Sequence, residues 1–481
     1  MLQRCRDLKG RLGLFCAPRT GKTLAALSFL EEHPEIERVL VVCPLTAAGV
    51  WREEAHLMGF RLPVVIAAGG SQEERVRRLT EQLTAEPNCL LVINYQPYGT
   101  ARRPTKDAPA GARTRWQGGA ALLDVLERWR PQAILADECT AIKNRTAAQS
   151  KALHIMGRWP EARVRIGLTG TPITNNVQDL FSIYKFIDPE IFGWRWVPFA
   201  DRYLTFGYFN EITGSKNDAE IRRKIETTAI QVARSEAWGG LPTRRDLVYP
   251  VVLSEASTAR YRQLAKEMVA LVAGRDERGQ HVMGRVTADL VITLAMRLHQ
   301  LTGGHTRLGE GQVVDVSSEK IDAACDLTEQ ALATGEQVVL FCTFRREIAR
   351  LTERLSAVTA VEVLAGGSGA EERAAIVSRF AAGATRVLVC QNQVASKAID
   401  LAAASVGIVV STGYSLDDFE QLRERLTGID PTRSFDYYYL VAQQWGGRPT
   451  IDGRIYAALA RKQQIAGRFL DLDYAKRLLE S

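Results

Sequence analysis

The chain has 481 residues, 46% hydrophobic and 24% charged, with a net charge of +7. This is ordinary globular composition, and it excludes a disordered chain, a collagen-like repeat and a small disulfide scaffold. No apolar run reaches the roughly 18 residues of a spanning helix, and Met1–Gly10 carries charges without the apolar core of a secretory signal.

The positive excess is compatible with a polyanionic partner. Of the 62 basic residues, 49 are Arg, which suits phosphate forks and tracks a GC-rich genome equally well. The eight cysteines are scattered without a CxxC pair, so neither a zinc site nor a redox motif is signalled and a reducing cytoplasm fits. His299 and His305 lack the spacing of a ligand pair and read as structural or surface residues.

Short apolar runs predict strands at Leu12–Cys16, Arg38–Cys43, Pro63–Ala67, Cys89–Asn94, Ala133–Ala136 and Arg163–Leu168. Helical segments such as Lys22–Glu32 and Gly119–Arg130 separate them, a pattern that predicts a parallel sheet covered on both faces. From about residue 190 to 312 aromatic-rich loops give way to predicted helices at Glu255–Ala273 and Thr287–Leu301. The strand pattern then returns at Gln337–Phe341, Val361–Leu364, Arg386–Val389, Gly407–Val410 and Tyr437–Val441. Between these strands lie helices Phe344–Leu355 and Ala370–Phe380, and Thr450–Ser481 reads as helical. Two α/β domains with a different middle region are expected.

Ala17-Pro18-Arg19-Thr20-Gly21-Lys22-Thr23 follows the first strand and opens a helix, the context a phosphate-binding loop requires. Backbone N–H groups and the helix N-terminus surround phosphate oxygens in such a loop. Lys22 would reach the β- and γ-phosphates and Thr23 would hold Mg²⁺, while Arg19, Thr20 and Gly21 belong to the cradle. Cys16 stands where the first glycine of GxxxxGK[ST] falls. About 115 residues on, the strand Ala133–Ala136 ends in Asp137-Glu138. Asp137 suits holding Mg²⁺ through a water and Glu138 suits polarising an attacking water.

These residues and the motifs downstream of them resemble the superfamily 2 helicases, specifically the Swi/Snf-type DNA translocases. Val42-Cys43-Pro44-Leu45-Thr46 with Trp51 and Glu54, then Asn94-Tyr95, resemble the first DNA-contact motifs. Asp137–Asn144 is similar to the DEAHRIKN-type box, with Cys139-Thr140 in place of Ala-His. Leu168-Thr169-Gly170-Thr171-Pro172-Ile173-Thr174-Asn175-Asn176 is close to LTGTPIQNN, the most specific signal in the chain. Further on, Val338–Thr343, Gly366-Gly367, Ser396–Leu401 and Phe419-Glu420-Gln421 resemble the second-lobe motifs more loosely. Thr450-Ile451-Asp452 resembles the start of a closing helical brace, and Arg19 with Gln300–Gly304 is similar to a compact phage or prophage branch.

The resemblance implies an α/β fold of two RecA-like parallel-sheet lobes in tandem, with a helical insertion and a C-terminal helical brace. The expected boundaries are 1–195, 196–315, 316–445 and 446–481. It implies an ATP hydrolase using ATP and Mg²⁺, with Lys22, Glu138, Gln421 and Arg425 catalytic and double-stranded DNA as a sequence-nonspecific partner. The implied DNA contacts are Pro44, Thr46, Asn94, Thr169, Thr171, Asn175, Asn176, Thr343, Gly366 and Ser396.

Three departures stand out. Arginines at +4 and +7 follow the family's final glutamine, but here Arg425 is followed by Gly428, leaving Arg423 or Arg433 as substitutes. Gln3 lies nearer Lys22 than the family's adenine-reading glutamine does, so a start upstream or a loosely held adenine is expected. Cys16 and Arg19 replace small loop residues. The alternatives are a strand-separating DNA or RNA helicase and a nucleotide-gated DNA-binding scaffold with little turnover. A protein partner supplying specificity or the missing arginine is expected, as is a cytoplasmic location in a bacterial or phage-infected cell, with no membrane partner.

Overall fold

The computed structural model describes residues 2–17, 20–67, 72–95, 100–102, 115–117, 120–208, 211–232, 244–275, 281–283, 288–308, 312–367, 369–395, 400–427 and 434–470. Its contacts divide the chain into one unit of 1–239 with 462–481 and a second of 240–461. Residues 196–239 therefore belong with the first unit and 240–315 with the second.

Aliphatic runs four or five residues long cannot leave either face in water, so they pair side by side beneath helices. In the first unit these strands are β1 (Arg11–Leu14), β2 (Val39–Cys43), β3 (Val64–Ile66), β4 (Leu90–Asn94), β5 (Ala133–Asp137), β6 (Val164–Leu168) and β7 (Ala229–Ile230). They form a parallel sheet in the order β7-β1-β6-β5-β2-β4-β3. Val39–Cys43 and Leu90–Ile93 are wholly buried, and each such aliphatic side chain contributes about 1.5–3 kcal/mol. Leu14 pairs with Leu168, and Leu168 with Asp137, so β1, β5 and β6 end level with one another. That shared carboxyl edge is where open α/β sheets bind ligands.

A buried arginine interrupts the apolar pattern of β6. Arg165 on β6 is buried and donates to the Ile187 carbonyl at 2.7 Å and to the Gly157 carbonyl. Burial, with Arg11 nearby, pulls its guanidinium down to about 10.

The second unit repeats the architecture with β8 (Arg244–Val252), β9 (Val338–Cys342), β10 (Val361–Leu364), β11 (Val387–Gln391), β12 (Val406–Val409) and β13 (Phe435–Gln443). These are also parallel, in the order β8-β13-β12-β9-β11-β10. Helices Glu255–Val272 and Ala288–Thr302 lie between β8 and β9, and a helix over Ile451–Leu470 follows β13. All eight cysteines are buried thiols. Among the described residues no helix is long and apolar enough to cross a membrane.

A buried polar cluster ties the second unit's helices to its sheet. Lys320 and Asp452, both 2% exposed, pair at 2.7 Å. Thr302 Oγ1 and the Ala442 N–H also donate to Asp452, at 2.7 and 3.1 Å. Burial alone would push the Asp452 carboxyl up, but Lys320, His299 and these hydrogen bonds hold it below its ordinary value. Beside it, fully buried Glu347 accepts from Ser411 Oγ at 2.5 Å and from the Phe344 N–H at 3.1 Å through one oxygen. Its other oxygen has no hydrogen-bond partner. A side chain at Gly303 would meet that oxygen and force the Glu347 carboxylate to shift.

Burial raises the Glu347 carboxyl to about 7 despite the Lys320 ammonium and these hydrogen bonds. The folded unit therefore holds a proton that the unfolded chain releases near 4.5. This group's stabilisation is complete at low pH and lost as pH rises through 7, a change of about 3 kcal/mol. His299 works in the opposite sense: burial lowers it to about 4, so its contribution is lost as pH falls below the usual histidine range. His305 is lowered in the same direction, again chiefly by burial. Glu347→Gln removes only the first effect. Urea unfolding of the second unit is expected to show the variant gaining up to about 3 kcal/mol over the parent at pH 8 and no more than about 1 kcal/mol at pH 5. An equal gain at both pH values would show that the carboxyl does not titrate in this window.

Candidate functional site

The phosphate-loop residues lie between β1 and the helix Lys22–Glu31. Gly21 turns the chain with φ +79, a left-handed conformation that side chains resist. No side chain caps that helix, so its first N–H groups keep their donor capacity towards an anion. Thr20 Oγ1 donates to the Ala17 carbonyl at 2.7 Å, and Lys22 Nζ to the Cys16 and Ala17 carbonyls at 2.8 and 3.2 Å. The lysine is thus folded over its own loop, and half-buried Thr23 follows it on the helix. Arg19 lies outside the described residues.

Asp137 ends β5, two strands from β1. Its Oδ2 accepts from Trp51 Nε1 at 2.9 Å and its Oδ1 from the Glu138 N–H at 3.0 Å. Burial raises its carboxyl despite those bonds and the Lys22 charge. Tyr95 donates to the Asp137 carbonyl at 2.7 Å. Glu138 is left-handed, φ 49 and ψ 55, a conformation costing a non-glycine residue about 1–3 kcal/mol. The turn carries the chain directly from β5 into a short helix, Cys139–Ile142.

The loop after β6 returns to these carboxylates. Thr169, fully buried, donates from Oγ1 to Glu138 Oε2 at 3.3 Å and accepts from the Thr171 N–H at 3.2 Å. Buried Asp179 then accepts from the N–H groups of Thr174 and Asn175 and from the Thr174 hydroxyl. Lys143 donates to the same hydroxyl at 2.8 Å. Asn175 is exposed, Asn176 and Thr171 are half-buried, and Pro44 is half-buried after β2. Asn94 is only 3% exposed, and its Oδ1 has no hydrogen-bond partner. The Thr46 side chain and Ser396 lie outside the described residues.

The second unit gathers its predicted positions at the same sheet edge. Thr343 follows β9; its N–H donates to Ser411 Oγ at 2.8 Å and its hydroxyl accepts from Asn392 Nδ2 at 3.2 Å. Gly366 follows β10 and its N–H donates to Gln391 Oε1 at 3.0 Å. Gln421 and Arg425 lie on and just after the helix Leu416–Arg423. Arg423 is engaged elsewhere, on Asp246 at 2.6 Å and Glu420 at 3.2 Å, which removes it as a ready replacement for the missing arginine. Gly428 and Arg433 lie outside the described residues. Sequence reasoning missed the roles of Lys320, Glu347 and Asp452, whose partners are remote along the chain.

Among known proteins, residues 13–302 match the SNF2-related domain, and residues 319–427 the Helicase conserved C-terminal domain. The chain is 24% identical over 475 residues to Chromodomain-helicase-DNA-binding protein 1-like of Danio rerio, covering 95% of this chain and 42% of that protein. It is 26% identical over 366 residues to DNA annealing helicase and endonuclease ZRANB3 of Mus musculus, covering 73% of this chain and 31% of that protein. It thus spans less than half the length of these relatives. A solved Sulfolobus solfataricus SWI2/SNF2 ATPase core in complex with dsDNA aligns at TM-score 0.40 and 20% identity, covering 99% of this chain and 94% of that one. The first domain match alone takes in more than half of the chain, which therefore belongs to the SNF2-related domain family.

Proposed function

We propose that the chain hydrolyses ATP with Mg²⁺ and uses the cycle to move along double-stranded DNA. The observation that carries this reading is the Thr169–Glu138 hydrogen bond. It joins the loop that resembles a DNA-contact motif to the carboxylate suited to activating water, so a change at one reaches the other. The donor set fits a magnesium nucleotide: an uncapped helix N-terminus, a lysine in its first turn and hard oxygens from Thr23 and Asp137.

Mg²⁺ on Thr23 and Asp137 would screen phosphate charge. The remaining roles fall on side chains of this chain. Lys22 leaves its loop carbonyls to bind phosphate oxygens. Trp51 fixes the Asp137 carboxylate, and Glu138 orients a water and takes its proton. Arg425, with Gln421, steadies the charge on the transferred phosphoryl group. Thr171, Asn175, Asn176, Pro44, Thr343 and Gly366 belong to the duplex-facing loops, where contacts to backbone phosphates position the protein without reading bases. The DNA-acting relatives, one of them named an annealing helicase, support the same substrate.

Displacement of a third strand from a triplex tests this reading. Travel along the duplex is expected to strip the third strand only with ATP, leaving the duplex strands paired. Separation of the duplex strands themselves would establish the helicase alternative instead.

A further inference from the structure

Beyond the motif loops, the first unit carries a band of cations laid on aromatic rings. Arg145 follows the box that ends at Asn144, and its guanidinium carbon lies 4.4 Å over the Trp196 ring. Arg158 lies 5.6 Å over the ring of exposed Trp194. Lys185 Nζ lies 5.6 Å from the Phe181 ring centroid, and Phe181 packs edge-on against Trp196 at 5.4 Å. None of these three cations has a carboxylate within ion-pair distance among the described residues. Burial, then the fields of Arg145 and Arg158, lower the Lys185 ammonium, so the three charges sit close enough to repel.

The band continues into a cleft of about 300 Å³ beside Trp194, lined by Arg11, Arg158 and Arg165 and opposed by Asp188 and Glu190. Holding like charges together costs free energy that a polyanion would recover. Guanidinium groups held over indole faces by cation–π attraction keep donors available for phosphate oxygens. An exposed tryptophan among them offers a further stacking surface.

We propose that Arg145, Arg158 and Lys185, with Trp194 and Trp196, form a second contact track for a nucleic-acid phosphate backbone, separate from the motif loops. This rests on the reading that the chain works on duplex DNA. Its use is to hold a neighbouring stretch of backbone while the motif loops change their grip, which raises the number of phosphates bound.

Anisotropy of a labelled duplex, titrated with salt, tests the track. The triple variant Arg145→Ala, Arg158→Ala, Lys185→Ala is expected to lower the slope of log K against log salt by about 2–3. Affinity at moderate salt should fall on the order of a hundredfold. Arg145→Lys with Arg158→Lys keeps the charges and should keep the slope, which separates lost phosphate contacts from lost folding. Parent and triple variant binding with equal slopes and affinities would overturn the track while leaving the translocase reading intact. A parent that fails to bind duplex would overturn both. Competition by polyglutamate as strong as competition by duplex would reassign the band to an acidic protein segment, against the proposal.

Discussion

Lys22→Ala is expected to reduce ATP turnover by at least about 10²–10³, the loss seen when one preorganised donor to developing charge is removed. The lysine is the cation in the first turn of the uncapped helix, and its loop carbonyls hold it ready at 2.8 and 3.2 Å. Removing it leaves the loop fold largely in place, since Gly21 and Thr20 make the turn independently. Folding stability should therefore change little while turnover collapses. Arg425→Ala should also slow turnover, by as much as about 10³ if this arginine acts as the finger. A turnover assay at saturating ATP checks both, and near-parent rates in Lys22→Ala would remove the loop from the reaction.

The second large effect concerns stability. Asp452→Ala strands the Lys320 ammonium in the core and removes the acceptor of Thr302 and of the Ala442 N–H. Breaking one side of a buried pair costs about 3–5 kcal/mol. Replacing both, Lys320→Met with Asp452→Leu, removes the charges together and should recover most of that loss. The chain divides into two units, so the transition to follow is the second unit's, by hydrogen exchange in β9, β12 and β13 under urea. A single variant costing under about 1 kcal/mol would show that the ammonium finds water or another acceptor.

Much of the sheet architecture was legible because its strands are buried on both faces. Val361–Leu364 is observed as expected, and Arg38–Cys43 and Cys89–Asn94 shorten by one residue at their starts. Within the two large parallel sheets, two strands escaped notice for physical reasons. Ala229–Ile230 is too short for any periodicity to show. Arg244–Val252 opens with three charged residues and contains Pro250, features that argue against a strand in the middle of a sheet. Among the described residues it lies at an edge and pairs with β13 alone, a position where proline and solvent-facing side chains are tolerated.

The placement of the Gly21-Lys22-Thr23 loop after β1 and of Asp137-Glu138 at the end of β5 was legible because each depends on local spacing. The bond from Thr169 to Glu138 was not, because it is made by two loops 31 residues apart. His299 read as structural or surface and is buried near Asp452. Lys320 and Glu347 look like solvated helix positions in one dimension, and only the packed helices show their burial. Arg423 and Asp246, 177 residues apart, pair for the same kind of reason.

We propose above all that duplex DNA drives this chain's ATP hydrolysis. The most direct measurement is steady-state ATP turnover by the full chain with Mg²⁺, with and without duplex, beside Lys22→Ala. Strong stimulation by duplexes of unrelated sequence is expected, weakened by salt and absent in the variant. Turnover that ignores duplex, or nucleotide binding with no turnover in its presence, would contradict the claim.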